Sequence, residues 1–429
     1  LRKLKGESDR METEDGLVFI SKIELCYDSG TSAKASIGGV DGSSALVDDG
    51  SNDGGRNSNW IENVTYDSQP DPYEYECNDF SQSKHFRDVF GSSVRYLPEI
   101  KKWVVYDGMT WHIDEFASVS HLYHLGCMVP TQKRVMECVA KQAAYIKAGG
   151  QSSDDAHKKL VKMERHCRKI YDKYTNTNAV DNMLKVSGQK PGMAIKFSQL
   201  NADDTVIAMP NGKVIKLARR GRDSAENAAS VGYWVEDNKR ENYTTMHTQA
   251  EFRTARELMA SAEGRQQLSE WQKTLKLILP DVELRRFVQR VFGHMLLGGN
   301  DEKKMIFLAG QPHTGKSTLL NSFNVLGDYA GTFNPAAMME DGGTKPNPEL
   351  IKQWHRRVVH NSESGMGRLD AGMIKKVSGR DQMMCRALQS NTMIEGVIKF
   401  TAVMATNRVP RIYGADAAVR NRMLVLPIE

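Results

Sequence analysis

Apolar residues recur along this chain with two periods, and the elements change where the period changes. Between Phe86 and Phe116, short apolar runs alternate with turns: Val94–Leu97, Trp103–Tyr106 and Trp111–Ile113. Asp107-Gly108 between two aromatic-rich runs predicts a β-hairpin. Trp103 and Trp111 on adjacent strands predict the anchors of a small β core, with stacking on a nucleobase as the alternative for one of them. The period then becomes helical. Thr131–Lys147 predicts an amphipathic helix that Gly149-Gly150 ends. Ser152-x-x-Asp155 has the form of a capping box, with Asp in place of Glu or Gln. Ala156, Leu160, Met163, Cys167 and Ile170 share one face of the next helix. Lys158, Lys159, Lys162, Arg165, Arg168 and Lys169 occupy the opposite face. A solvated face is the ordinary meaning of such a run, and a nucleic-acid track is the alternative. Short runs return between 192 and 250, predicting a β-rich insert: Ala194–Phe197, Val206–Met209 and Val214–Leu217. Pro210-Asn211-Gly212 makes one turn, and Arg219, Arg220 and Arg222 form a basic knot in a loop. Glu251–Leu279 reads as mostly helical up to Pro280-Asp281. Val282–Leu297 reads as a further helix, with Leu284, Phe287, Val288, Val291, Phe292, Met295 and Leu296 as its stripe.

Composition changes the picture at the N-terminus. From Asp28 to Asn59, 22 of 32 residues are Gly, Ser, Asp or Asn, too few apolar groups to offset chain entropy. Residues 1–72 are therefore expected to be mostly a disordered acidic linker, although Gly16–Cys26 has the pattern of a strand. Charge is segregated. Residues 1–80 carry 7 basic and 17 acidic side chains, net −10; residues 81–300 carry 34 and 24, net +10; residues 301–429 carry 17 and 12, net +5. A basic folded part suits a polyanionic partner. The six cysteines contain no C-x-x-C spacing, which points away from a zinc ribbon or a disulfide framework and towards reduced thiols. His121, His124 and Cys127 have ligand-like spacing but lack a fourth ligand. No apolar run has transmembrane length, so no membrane partner is expected. The chain starts without Met and stops after an apolar run, and is expected to be a fragment of a longer protein.

The most specific chemistry lies at Met305–Ser317. An apolar run, Met305–Ala309, leads into Gly310-Gln311-Pro312-His313-Thr314-Gly315-Lys316-Ser317, followed by Thr318. This G-x-x-x-x-G-K-[ST] pattern binds phosphates. Its glycines let successive N–H groups face phosphate oxygens. The Lys316 position reaches the β and γ phosphates, and the Ser317 position ligates Mg²⁺. Hydrolysis also needs a carboxylate near the attacking water. Glu363 follows the apolar strand that starts at Arg357 and is the candidate catalytic base. Asn407 follows a third apolar strand, Lys399–Ala405, where an amide can hold the water or sense the γ-phosphate. Arg420 and Arg422 precede a last strand, Met423–Leu426. Either fits an arginine finger acting on a neighbouring subunit, with a slight preference for Arg422.

GQPHTGKST, VVHNSE, FTAVMATN and RNRMLVLP, in this order, resemble the superfamily 3 helicases, which are AAA+ relatives. The match is closest to the C-terminal half of the phage and large-DNA-virus primase–helicase family. IKKVSGRDQMMCR resembles that family's DNA-contacting segment, while VRYLPEIKKWVVYDGMTWHID and AMPNGKVIKL resemble parts of its helicase-associated domain. The resemblance implies an α/β protein with a P-loop AAA+-type module and a parallel sheet at 299–429, truncated at its C-terminus. A mixed α+β helicase-associated domain at 73–298 and the flexible acidic linker precede it. It implies an ATP-dependent DNA helicase of viral or phage replication, using ATP and Mg²⁺ and working as a homo-oligomer, a hexameric ring, on single-stranded and forked DNA. Other replication proteins are implied as partners, and the cytoplasm of an infected or lysogenic host, or a site of viral replication, as location. Lys375, Lys376 and Arg386 would contact DNA through sequence-tolerant phosphate contacts. One departure stands out: the family commonly has two adjacent acids where Ser362-Glu363 stands here. No primase centre is visible. A P-loop ATPase that remodels or loads replication proteins is the alternative function.

Overall fold

The structure is a computed structural model. It describes residues 60–217, 233–334, 353–362, 369–379, 382–386, 393–407, 412–414 and 416–429. The acidic linker up to residue 59, the Arg219–Arg222 loop and Glu363 lie outside the described residues. These residues form two compact units, 60–200 with 239–245, and 201–238 with 246–429.

The first unit begins with helix α1 (Asp79–Phe90), whose N-cap Asn78 accepts a hydrogen bond from the Ser81 N–H. Three antiparallel strands follow: β1 (Val94–Leu97), β2 (Lys102–Tyr106) and β3 (Trp111–Ile113). The predicted hairpin joins β2 to β3. The Asp107 carboxylate accepts from the Met109 and Thr110 N–H groups at 2.8 and 2.7 Å, and Gly108 takes φ 94°. That is an Asx-type turn with its positive φ on the residue that tolerates it. Trp111 is buried, and its Nε1 donates to the Arg240 carbonyl at 2.8 Å. Trp103 packs against Tyr96 and Phe86. Trp111 is core, and Trp103 is half-buried against the core cluster of this unit.

Helices complete this unit: α2 (Ser118–Tyr123), α3 (Val129–Lys147), α4 (Asp155–Tyr174) and α5 (Thr177–Gly188). The predicted capping box does not form. Asp154 is the N-cap of α4, and its carboxylate is taken by the Tyr145 hydroxyl and the Gln151 N–H, both at 2.8 Å. Cys127 is buried while His121 and His124 are exposed. Among the described residues, no group of three or more His, Cys, Asp and Glu could hold a metal ion.

The second unit opens with an antiparallel sheet of β4 (Val206–Ala208), β5 (Lys213–Leu217) and β6 (Tyr233–Asp237). Helices α6 (Ala255–Ala260), α7 (Ala262–Ile278) and α8 (Val282–Met295) follow. Thr254 and Glu257 form a capping box on α6, and Asp281 caps α8. Then come β7 (Met305–Ala309), α9 (Lys316–Asn321), β8 (Ala330–Thr332), β9 (Val358–Asn361), β10 (Leu369–Asp370), α10 (Ala371–Ser378), β11 (Gln382–Arg386) and β12 (Met393–Val397). The last elements are β13 (Thr401–Thr406), β14 (Ile412–Tyr413), α11 (Ala417–Arg422) and β15 (Met423–Pro427).

Five of these strands make an all-parallel sheet in the order β15-β7-β13-β9-β8. Numbered by their own succession in the chain, they run 5-1-4-3-2. Both faces are covered, which is why the strands read as continuous apolar runs. Ile306, Leu308 and Val403 face one cluster, and Met305, Phe307 and Met404 the other. The first cluster also holds Ile207, Ile215, Trp271, Val288, Phe292 and Met295. Residues 201–298, apart from the 239–245 segment, thus share a core with the parallel sheet, whereas the sequence patterns suggested a boundary at 298. The stripe of α8 joins the cluster that holds Ile306 and Leu308 of β7, with Phe292 against Phe323, and periodicity alone does not name partners. Among the described residues, no helix is long and apolar enough to cross a membrane.

Candidate functional site

Strand β7 delivers the loop 310–317 to the C-terminal edge of the parallel sheet. In an open α/β sheet that edge, where strand order reverses, is where ligands bind. Here the chain leaves β7 for β8 at the far side, and β15 later returns to its other flank. The Gly310 N–H donates to the Thr406 carbonyl at 3.2 Å, and the Ile428 N–H donates to the Ala309 carbonyl at 2.8 Å. Both neighbours therefore clamp the start of the loop. A Cβ at Gly310 would stand 1.7 Å from the Ile428 carbonyl oxygen, so only glycine lets the strand end pass. Gly315 takes φ 87°, and a Cβ there would press on the Ile278 side chain of α7 at 2.5 Å. His313 also has a left-handed backbone, at φ 65°. Gln311, Pro312 and His313 are exposed, and Thr314 is half-buried.

Lys316 opens α9 and is 7% exposed. Its ammonium folds back on the loop, donating to the Gly310 carbonyl at 2.9 Å, the Gln311 carbonyl at 2.5 Å and Thr314 Oγ1 at 3.2 Å. Burial pushes its pKa down. Ser317 and Thr318 are exposed on the first turn of α9. The arrangement is a cation held over a curled backbone, with a hydroxyl beside it.

Asn407 follows Thr406 directly, so the hydrogen bond from Gly310 sets its backbone next to the loop, and its side chain is exposed. Strand β9 reaches the same edge. Asn361 pairs with Met404, and its Nδ2 donates to the Phe333 carbonyl at 2.8 Å. Ser362 is exposed; Glu363 comes next, outside the described residues. The loop and Asn407 thus come together.

The two arginines do not share that edge. Met423 pairs with Met305 and Pro427 with Ala309. Helix α11, which precedes β15, therefore lies at the opposite end of the sheet, about 13 Å away at the rise of four strand residues. Arg420 is exposed. Arg422 is half-buried, and its guanidinium donates to the Ala418 carbonyl of its own helix at 3.2 Å. Lys375 sits on α10 and is ion-paired with Asp416 at 2.7 Å, leaving Lys376 as the exposed cation of that turn. Arg386 ends β11, where its backbone pairs with Met393 of β12. The hairpin β11–β12 is inserted between β9 and β13 in the chain, and the sequence patterns did not identify it as a hairpin. The available signal was two short apolar runs, Met383–Cys385 and Met393-Ile394, a few residues apart.

Two further features were not legible. Helices α7 and α8 enclose a cleft of about 290 Å³ lined by Trp271, Leu275, Lys276, Arg286, Phe292 and Leu319, the last from α9. The Trp271 indole N–H is buried there without an acceptor among the described residues. His360, on β9, is 4% exposed beneath Phe323, and neither ring nitrogen has a partner among the described residues. Burial lowers its pKa to about 4. The unfolded histidine, near 6.5, binds a proton where the folded one does not, so stability falls as pH drops from about 6.5 towards 4, by about 1.4 kcal/mol per pH unit. His360→Leu is expected to lessen the fall of the denaturation midpoint in that window, with the remainder left to His85 and His355, whose pKa values burial also lowers. An unchanged pH profile would show that His360 titrates normally in the fold.

Residues 83–280 match the family described as D5 N terminal like. A Frog virus 3 (isolate Goorha) protein with a provisional helicase name, 022R, is 29% identical over 165 residues, covering 35% of this chain and 16% of that protein. A similarly named protein of Acanthamoeba polyphaga mimivirus is 26% identical over 157 residues, covering 36% and 16%. One from Sputnik virophage is 28% identical over 129 residues, covering 28% and 17%. The aligned stretch spans less than a fifth of each relative. Among solved structures, the apo NrS-1 C terminal region has a TM-score of 0.27 at 16% identity, covering 37% of this chain and 36% of that one, a likeness too loose to carry an argument. The family match and the three viral relatives support the resemblance of this chain to the phage and large-DNA-virus primase–helicase family.

Proposed function

We propose that this chain is the motor part of an ATP-dependent DNA helicase that travels on single-stranded DNA as a hexameric ring in viral or phage replication. The observation that carries the reading is the loop 310–317 at the C-terminal edge of a 5-1-4-3-2 parallel sheet, with Asn407 bound in beside it. That order and loop position support an AAA+-type module. The residues fit ATP and Mg²⁺. Gly310 leaves no room for a side chain, Lys316 holds its charge over the loop, and Ser317 offers an exposed hydroxyl. ATP would place its phosphates on residues 310–318 and Mg²⁺ on Ser317, with Glu363 as second ligand or water-activating base. The cleft at Trp271 lies next to Leu319 and has room for the base, with the indole N–H as donor. Asn407 would hold the attacking water. Lys376 of α10 and Arg386 of β11 would meet the strand, and replication proteins would be its further partners in the infected cell.

Arg420 and Arg422 sit away from their own loop, which suits action on the neighbouring subunit. Exposure favours Arg420, because Arg422 is already bonded within α11. Arg420→Ala is expected to keep nucleotide binding and lose hydrolysis by about 10³-fold. Weakened nucleotide affinity instead would argue against a role in trans. The reading as a whole is tested by strand displacement from a tailed duplex and by stimulation of ATP hydrolysis by single-stranded DNA. A remodelling ATPase would hydrolyse ATP without either response.

A further inference from the structure

We propose that the outward face of α4 is a second DNA-binding surface, one that holds the phosphate backbone of duplex DNA. The inference rests on the DNA-acting reading but concerns the other unit and another form of DNA. Of the seven lysines and arginines on α4, two are matched within the helix and one outside it: Lys158 lies 3.8 Å from Asp155, Arg168 is paired with Glu164, and Lys173 lies 3.1 Å from Asp79. Lys162, Arg165 and Lys169 are exposed and have no carboxylate partner among the described residues. They stand three and four residues apart, on one stripe about 10 Å long. Like charges at that spacing repel and weaken a helix by about 0.2–0.5 kcal/mol a pair. A polyanion turns that cost into attraction. The opposite face is fixed by buried Cys167, Ile170 and Tyr174, so the stripe is straight and held in place.

Duplex is favoured over single-stranded DNA because no ring on this face is free to stack. Single-strand sites combine cations with aromatic platforms. The groove between α3 and α4, about 360 Å³, has a floor of Cys138, Leu160 and Met163 flanked by Lys141 and Lys159, with no aromatic ring in its lining. The rings of α4 are Tyr174, buried, and Tyr171, His157 and His166, half-buried, with His157 against Tyr145 and His166 against Tyr73. A rigid row of point charges without a platform suits a rod with one phosphate charge per about 1.7 Å of axis.

The test is binding of a blunt duplex and of a single strand by the full chain across a salt series. Lys162→Gln, Arg165→Gln and Lys169→Gln are combined in one variant. The duplex slope of log K against log salt is expected to become shallower by about 2 to 3, at about 0.9 for each phosphate that is no longer neutralised, with single-strand affinity kept. The swap Lys162→Arg, Arg165→Lys and Lys169→Arg should retain the wild-type slope, and equal melting temperatures would show that all variants fold. An unchanged duplex slope overturns the proposal; that is also the result if the face serves an acidic protein. Equal loss on duplex and single strand overturns it too, because the face is then a single-strand path. Wild-type protein that binds neither DNA would remove the DNA-acting reading itself.

Discussion

Lys316→Ala is expected to lower single-strand-stimulated ATP turnover by about 10²–10³-fold, the usual cost of removing one charge-stabilising donor from a reacting centre. The substitution deletes the only lysine or arginine in the loop 310–317. It also releases the carbonyls of Gly310 and Gln311, which Lys316 now holds at 2.9 and 2.5 Å. A loss of about 1–2 kcal/mol of stability accompanies that release, so phosphate release should be measured beside a denaturation curve. A folded variant with wild-type turnover would remove Lys316 from the chemistry and leave the loop a glycine turn. A folded variant without turnover but with DNA binding intact separates the motor from the groups that meet DNA.

Arg357→Ala should cost more stability than any of the other substitutions, about 3 kcal/mol, the lower end for breaking a buried ion pair. Arg357 is 2% exposed at the start of β9. Its guanidinium reaches Asp204 Oδ1 at 3.5 Å and the carbonyls of Val206 and Asp203 at 3.2 and 3.4 Å, and it lies 5.6 Å from the centre of the Tyr329 ring. It thereby ties the β4–β6 sheet to the parallel sheet within the second unit. Lys399 also meets Asp204, at 2.7 Å, so the carboxylate keeps one cation after the substitution and the loss stays near the lower bound. A chemical denaturation midpoint that implies less than about 1 kcal/mol would show that the clamp contributes little. Gly298 explains part of its geometry, since a Cβ there would stand 1.9 Å from Arg357 Nη1.

Neither Arg357 nor Gly298 stands out in the sequence. Arg357 reads there as the polar flank of a strand, and only the approach of residues 203–206, some 150 positions earlier, gives it a role. His360 is similar. Within VVHN it interrupts an apolar run, and its burial under Phe323 depends on where α9 continues after the loop. Lys375 looked as free as Lys376, but a residue 41 positions later, Asp416, claims it. The capping box at Ser152 fails because the helix begins two residues later, with Asp154 as its N-cap and the Asp154 carboxylate taken by Tyr145 of the previous helix and the Gln151 N–H.

What the chain determined by itself is local. Glycines at 310 and 315, lysine at 316, the Asp107-Gly108 turn and the apolar runs of β7, β9, β13 and β15 follow from backbone freedom, charge and period, which depend on neighbours a few residues away. What only the tertiary structure decided is which of these meet. Strand order sets Asn407 beside the loop and sends Arg420 and Arg422 to the far end of the sheet. The core that α7 and α8 share with β7 puts residues 246–298 into the loop's own unit. Burial and pairing are properties of partners distant in sequence, and periodicity carries no label for the partner.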